Sequence, residues 1–252
     1  MAINLSQLTT PSGQRPIIVT LFGEGGTGKT TLAAMFPKPV IIRTEDGTQS
    51  LQGNENVHLF PLANSTKDVL DAIEALATQE HDFKTLVIDS ITQLATMIEH
   101  EIVQADPKAK SINQAGGGYG AGYSTASEMH RQIREWAGAL AYEKGMNVVF
   151  IGHADTETMD LPDMDQYTRY SVRLHKKSLP HYTDNVDAVC MVRLKTFTRE
   201  GSGDKKRAIS TGEREIICHP QAASVTKNRF NITDPLPFTF DGGNPFEQWV
   251  MK

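Results

Sequence analysis

Apolar and polar positions alternate along the chain with two periods, and the order of those periods predicts the architecture. Continuous apolar runs recur at Ile17–Phe22, Val40–Ile42, Thr85–Ile88 and Asn147–Gly152. Runs this short, rich in β-branched residues, are expected of strands buried on both faces. Between them lie helical patterns. Ser65–Gln79 carries Val69, Ile73 and Leu76 on one stripe, with Ser65 placed to cap and Asp68 three residues on. Ile91–Val103 repeats Ile91, Leu94, Ile98 and Ile102 on one face, and Ser124–Lys144 reads as a third helix closed by Gly145. Asn56–Phe60 is a candidate further strand. Alternation of strand and helix up to residue 153 predicts an α/β fold with a doubly wound, mostly parallel sheet. Strand-like runs at Val186–Leu194, Glu215–His219 and Ala223–Thr226, with a charged tip at Arg199–Arg207, predict a C-terminal antiparallel extension.

Two stretches lose periodicity and read as long mobile loops. Ala105–Ser124 holds Lys108, Lys110 and a glycine run around Tyr119 and Tyr123. Ala154–Asp184 is acidic at first and then, from Tyr167 to Tyr182, combines Arg169, Arg173, Lys176 and Lys177 with Tyr170, His175 and other rings, without one Asp or Glu. Cations interleaved with rings suit single-stranded nucleic acid, the cations meeting phosphate and the rings stacking on bases; a merely solvated loop would seldom exclude acidic residues. Tyr119 and Tyr123 form a weaker second candidate. Residues 1–15 read as an arm, 16–232 as the core and 233–252 as an irregular tail on it.

Composition narrows the class. With 252 residues, 39% hydrophobic and 22% charged, the chain suits one globular core. A net charge of −5 argues against a globally basic nucleic-acid binder but leaves room for a local basic channel. No apolar run reaches membrane-span length and no basic-then-apolar leader is present, so no membrane partner and a cytoplasmic location are expected. Cys190 and Cys218 sit in strand-like runs and read as buried free thiols.

The candidate chemistry centres on Gly23-Glu24-Gly25-Gly26-Thr27-Gly28-Lys29-Thr30-Thr31, between the first strand and a helix expected over Thr31–Phe36. Strand, glycine loop and helix in that order form a phosphate-binding loop, whose N–H groups wrap an anion. Lys29 is expected on the β- and γ-phosphates and the Thr30 hydroxyl on Mg²⁺, so the chain should bind a nucleoside triphosphate. Asp89 ends the strand Leu86–Ile88, where a carboxylate holds the metal. Ser90 follows it, so a base must come from elsewhere. Glu45, beside Asp46 just past Val40–Ile42, is the candidate; Glu45-Asp46-Gly47 reads equally well as a solvated turn.

Ile88-Asp89-Ser90, Glu45 after the second strand, and His153 closing Val148–Gly152 together resemble the RecA class of P-loop ATPases. Val225-Thr226-Lys227-Asn228-Arg229 adds a fourth likeness, to the basic pair that such recombinases insert into a neighbour's ATP site. The resemblance spans roughly residues 15–232 and is nearest to compact phage RecA-like proteins of single-strand annealing and recombination. It implies an ATP- and Mg²⁺-dependent, DNA-stimulated ATPase in which Glu45 activates water, His153 reports the γ-phosphate, and Lys227 and Arg229 act across a subunit interface. It implies single-stranded DNA and further copies of the chain as partners, a single-strand-binding protein as another, and the cytoplasm of a bacterial host as the setting. His153 stands where bacterial RecA has glutamine, and no separate C-terminal domain is apparent. A hexameric helicase-like ring and an ATP-gated protein-interaction module are the alternatives.

Overall fold

The computed structural model describes residues 14–200 and 206–251. The N-terminal arm expected over 1–15 therefore lies almost wholly outside the described residues, as does the tip of the charged hairpin.

The strands β1 (Ile18–Gly23), β2 (Pro39–Arg43), β3 (His58–Leu62), β4 (Thr85–Asp89) and β5 (Asn147–Met159) form the parallel body of one sheet. With β6 (Tyr167–Val172), β7 (Ala188–Glu200), β8 (Lys206–Ile217), β9 (Lys227–Asn228) and β10 (Leu236–Phe238), the sheet reads β10-β8-β7-β1-β5-β4-β2-β3, with β6 on β5 and β9 on β7. β1 runs parallel to both β5 and β7, whereas β8, β9 and β10 add antiparallel. The predicted mixed architecture is thus present: a mostly parallel centre and an antiparallel C-terminal end. β1, β4 and the start of β5 are buried throughout, as continuous apolar runs require.

The two faces are covered differently. Helices α2 (Thr66–Thr78), α3 (Ile91–Ala105) and α4 (Ala121–Glu143) bury Ile73, Leu94, Ile98, Ile133 and Leu140 against Phe22, Ile42, Ile88 and Phe150. The short helix α1 (Lys29–Ala34) and the C-terminal tail cover the other face, packing Leu32, Phe36, Phe246 and Val250 against Leu21, Ile41, Val87 and Ile151. The tail is less irregular than expected, since Leu236–Phe238 pairs with β8. The predicted cap of α2 is formed: Ser65 and Asp68 make a reciprocal capping box.

Two expectations need correction. Ala154–Asp184 is not one long loop. β5 continues past His153 to Met159 and pairs antiparallel with β6, and a short helix α5 (Pro180–Thr183) follows. Thr156, Thr158, Thr168 and Tyr170 are strand formers whose partners lie across the turn, and Glu157 opposes Arg169 directly, so their charges join the two strands. Ala105–Ser124 is also more ordered. It contains a 3-10 turn at Ala115–Gly117, Asp106 accepts from the Gly116 N–H at 3.0 Å, and α4 begins at Ala121. A smaller difference is that α1 starts at Lys29 and ends at Ala34.

Candidate functional site

The phosphate loop joins β1 to α1 and bends at Gly26 and Gly28, with φ of 76° and 95°. At Gly28 a side chain is barred twice, because a Cβ would also stand 2.5 Å from the Phe240 ring. Lys29 is buried, and its ammonium donates to the carbonyls of Gly23 at 3.0 Å and Glu24 at 2.8 Å. Burial lowers its pKa, opposed by the charges of Asp89 and Glu45. The Thr30 hydroxyl donates to Asp89 Oδ2 at 2.7 Å, so the two expected metal-binding groups face each other. Burial raises the Asp89 carboxyl, and the Thr30 hydrogen bond pulls it back. Mg²⁺ keeps several waters and takes phosphate oxygens, so one hydroxyl and one buried carboxylate fit it.

Glu45 lies two residues beyond β2, and the parallel register sets that strand's end beside Asp89. Thr44 fastens this turn: its N–H donates to the Asp89 carbonyl, its hydroxyl donates to the Ser90 carbonyl at 2.7 Å, and that same hydroxyl accepts from the Ser90 N–H. Glu45 is therefore aimed into the site rather than left on a free turn. Its carboxyl is held below the ordinary range by the His153 hydrogen bond, against partial burial. His153 is paired in register with Gly23, its N–H donates to Thr92 Oγ1 at 3.0 Å, and its Nε2 lies 3.1 Å from Glu45 Oε1. Lys29, Thr30, Glu45, Asp89 and His153 thus converge at one edge of the parallel sheet, from the ends of β1, β2 and β4 and from the last residue of β5 that pairs with β1, where open α/β sheets bind ligands.

A cavity of about 1240 Å³ opens around them, larger than the roughly 300–1,000 Å³ of most small-ligand clefts. Its lining includes residues the sequence reading did not single out: Arg214 on β8 and Phe240, Asp241 and Asn244 in the tail. Arg214 sits 4.0 Å over the Phe240 ring. No local pattern marks them, because they reach the loop only through the pairing of β10 with β8. Thr44 and Thr92 were missed as well; the one signal was a hydroxyl residue near a strand end.

The remaining predicted residues divide. Arg169 is paired with Glu157 at 2.6 Å, and Tyr170 is half-buried on the core, its backbone bonded to Ala223 and Val225. Arg173 lies beside His153, to whose carbonyl its N–H donates at 2.8 Å. Farther along, two separate stretches meet: the Tyr123 and His175 rings stack at 3.9 Å and 8°, and Lys177 donates to Ser124 Oγ at 2.7 Å. Lys176 and the fully exposed Tyr119 flank them. Lys227 donates to the Asp184 carbonyl and Arg229 to Asp187 at 3.4 Å. β9 pairs with the first residues of β7, toward the edge of the sheet opposite the phosphate loop. Cys190 and Cys218 are both buried and free. Among the described residues no helix is long and apolar enough to cross a membrane.

No curated protein matches the chain. A family model described as AAA domain matches residues 15–230. That span holds the loop, both carboxylates and His153, and the chain belongs to this AAA-domain family of P-loop ATPases.

Proposed function

We propose that the chain is a RecA-type, Mg²⁺-dependent ATPase that assembles with copies of itself, binds single-stranded DNA and supports strand annealing or recombination in a phage-type system. The observation that carries the hydrolytic half is the convergence of Glu45, Asp89, Lys29 and His153 at one sheet edge. Lys29 neutralises the β- and γ-phosphates, Thr30 and Asp89 hold the metal, and the ionised Glu45 takes a proton from the attacking water. A Mg²⁺ ion held by Thr30 and Asp89 would add charge neutralisation to that of Lys29.

Assembly is supported by Lys227 and Arg229. They stand away from their own chain's loop, so the phosphates they serve belong to a neighbour, where a cation stabilises the spread charge of the transition state. DNA binding is supported by the Tyr123–His175 stack with Lys176 and Lys177, which gathers rings and cations from two stretches. Arg169 contributes less to that surface, being spent on Glu157.

ATP turnover with and without a single-stranded oligonucleotide, alongside anisotropy of a labelled oligonucleotide over a salt series, tests the reading. Stimulated turnover and binding that weakens with salt are expected. Turnover indifferent to DNA, with no binding at low salt, refutes the DNA half and leaves an ATP-switched module for a protein partner.

A further inference from the structure

We propose that β8 and the C-terminal tail supply the nucleobase platform of this cavity, the base lying on the stacked pair Phe240 and Arg214. The inference rests on the reading of this sheet edge as an ATP site, and deepens it by naming what holds the nucleoside.

Sheet order gives the direction. Asp89, Glu45 and His153 come from β4, the turn after β2, and β5, and those strands all lie on one side of β1. The metal and the reacting phosphate therefore belong on that side of the phosphate loop. β7, β8 and β10 lie on the other side. A triphosphate threaded through the loop with its last phosphate at Glu45 directs its nucleoside away from the carboxylates. Arg214 on β8 and Phe240 in the tail are the lining found there.

The two residues reach the loop from separate segments. Phe238 pairs in register with Arg214, and two residues on Phe240 comes against Gly28, where a Cβ would stand 2.5 Å from its ring. Phe240 is 50% exposed, an apolar ring lining the cavity rather than packed away. The Arg214 guanidinium lies 4.0 Å over that ring. Aromatic rings and guanidinium planes are the side-chain surfaces on which bases stack. Ala34, Met35 and Leu51 add apolar surface to the lining, which a base uses and a phosphate does not.

Arg214 is otherwise uncommitted. Its neighbours Glu213 and Glu215 point to the opposite face of the strand, where they pair with Lys195 at 3.6 Å and Arg193 at 2.8 Å. Among the described residues Arg214 has no ion pair, and its Nε is buried without a hydrogen-bond partner. The far end of the cavity offers no comparable platform. There Lys38 is paired with Asp82, and Phe83 packs against the rings of His58 and His81.

The test uses the full chain with Phe240→Leu and Arg214→Gln. Leu keeps apolar bulk beside Gly28 without the ring, Gln removes the guanidinium plane, and circular dichroism checks folding. Equilibrium binding is read by calorimetry with Mg²⁺, for ATP and for inorganic tripolyphosphate, which carries phosphates without a nucleoside. Each variant should bind ATP about 10-fold more weakly, the scale of one lost base stack, while tripolyphosphate affinity holds. Equal weakening of both ligands marks an effect on the loop or the phosphates and overturns this proposal alone, as does unchanged ATP affinity in either variant. Wild-type protein that binds neither ligand overturns the ATP-site reading, and this assignment with it.

Discussion

His153 Nε2 lies 3.1 Å from Glu45 Oε1 and 3.4 Å from Oε2, joining residues 108 positions apart across the mouth of the site. The pair sets the proposed base and its partner in one hydrogen-bonded unit, with both side chains about a third exposed or less. Glu45→Gln removes the proposed base while keeping shape, and should cut turnover about 10²–10⁴-fold with ATP binding retained. Steady-state kinetics beside nucleotide binding checks this; a Gln variant that turns over normally would move the base elsewhere.

The same pair gives a pH prediction. The His153 hydrogen bond is the largest influence lowering the Glu45 carboxyl, and partial burial opposes it. His153→Ala removes the lowering influence, so the carboxylate protonates at higher pH. The acid limb of the pH profile of kcat should therefore shift upward in the variant, a shift that loss of packing alone does not produce.

The Thr30 hydroxyl lies 2.7 Å from Asp89 Oδ2, and the two are the proposed Mg²⁺ ligands. Thr30→Val keeps the β-branched shape and deletes the oxygen. The Mg²⁺ concentration giving half-maximal turnover should rise by about 10-fold or more, the scale of one charged hydrogen-bonding group. A Mg²⁺ titration identical to wild type would exclude the hydroxyl as a ligand.

Gly28 and Gly25 look alike in sequence and differ in space. Gly28 has φ of 95° and no room for a methyl beside Phe240 and Phe238, whereas a Cβ on Gly25 meets nothing within 4 Å. Gly28→Ala should destabilise the ligand-free protein by about 1–3 kcal/mol and Gly25→Ala by little. Thermal unfolding of the two variants tests the contrast.

His130 lies buried in α4, its Nδ1 2.9 Å from the Tyr182 hydroxyl, and burial is the main cause depressing its pKa to about 3. The unfolded chain takes up that proton near pH 6.5 and the folded one does not. Stability from this residue is therefore full above about pH 6.5 and falls as pH drops toward 3, by at most ~1.4 kcal/mol per pH unit. Urea midpoints at pH 7 and pH 5 should reveal the decline, and His130→Gln should flatten it.

The phosphate loop and the carboxylate beside it were legible because each part is local. A glycine loop between strand and helix, a carboxylate ending a buried strand and a capping box are read from neighbours in sequence, and Lys29, Thr30, Asp89 and Ser65 all stand where that reasoning put them. The charged stretch after His153 was not legible in the same way. Its strand pairing depends on residues across a turn, and period-two alternation of Thr, Glu and Arg also suits a solvated loop.

The sequence by itself determined the parallel α/β core and the position of the glycine loop and of the carboxylate beside it, because short buried apolar runs and glycine-loop geometry are dictated locally. Only the tertiary structure decided that Glu45 and His153 touch, that the Arg173 N–H bonds the His153 carbonyl, and that Arg214 and Phe240 wall the cavity. Those relations follow from strand register and from which chain ends meet at one edge of the sheet, and register is fixed by packing between distant segments.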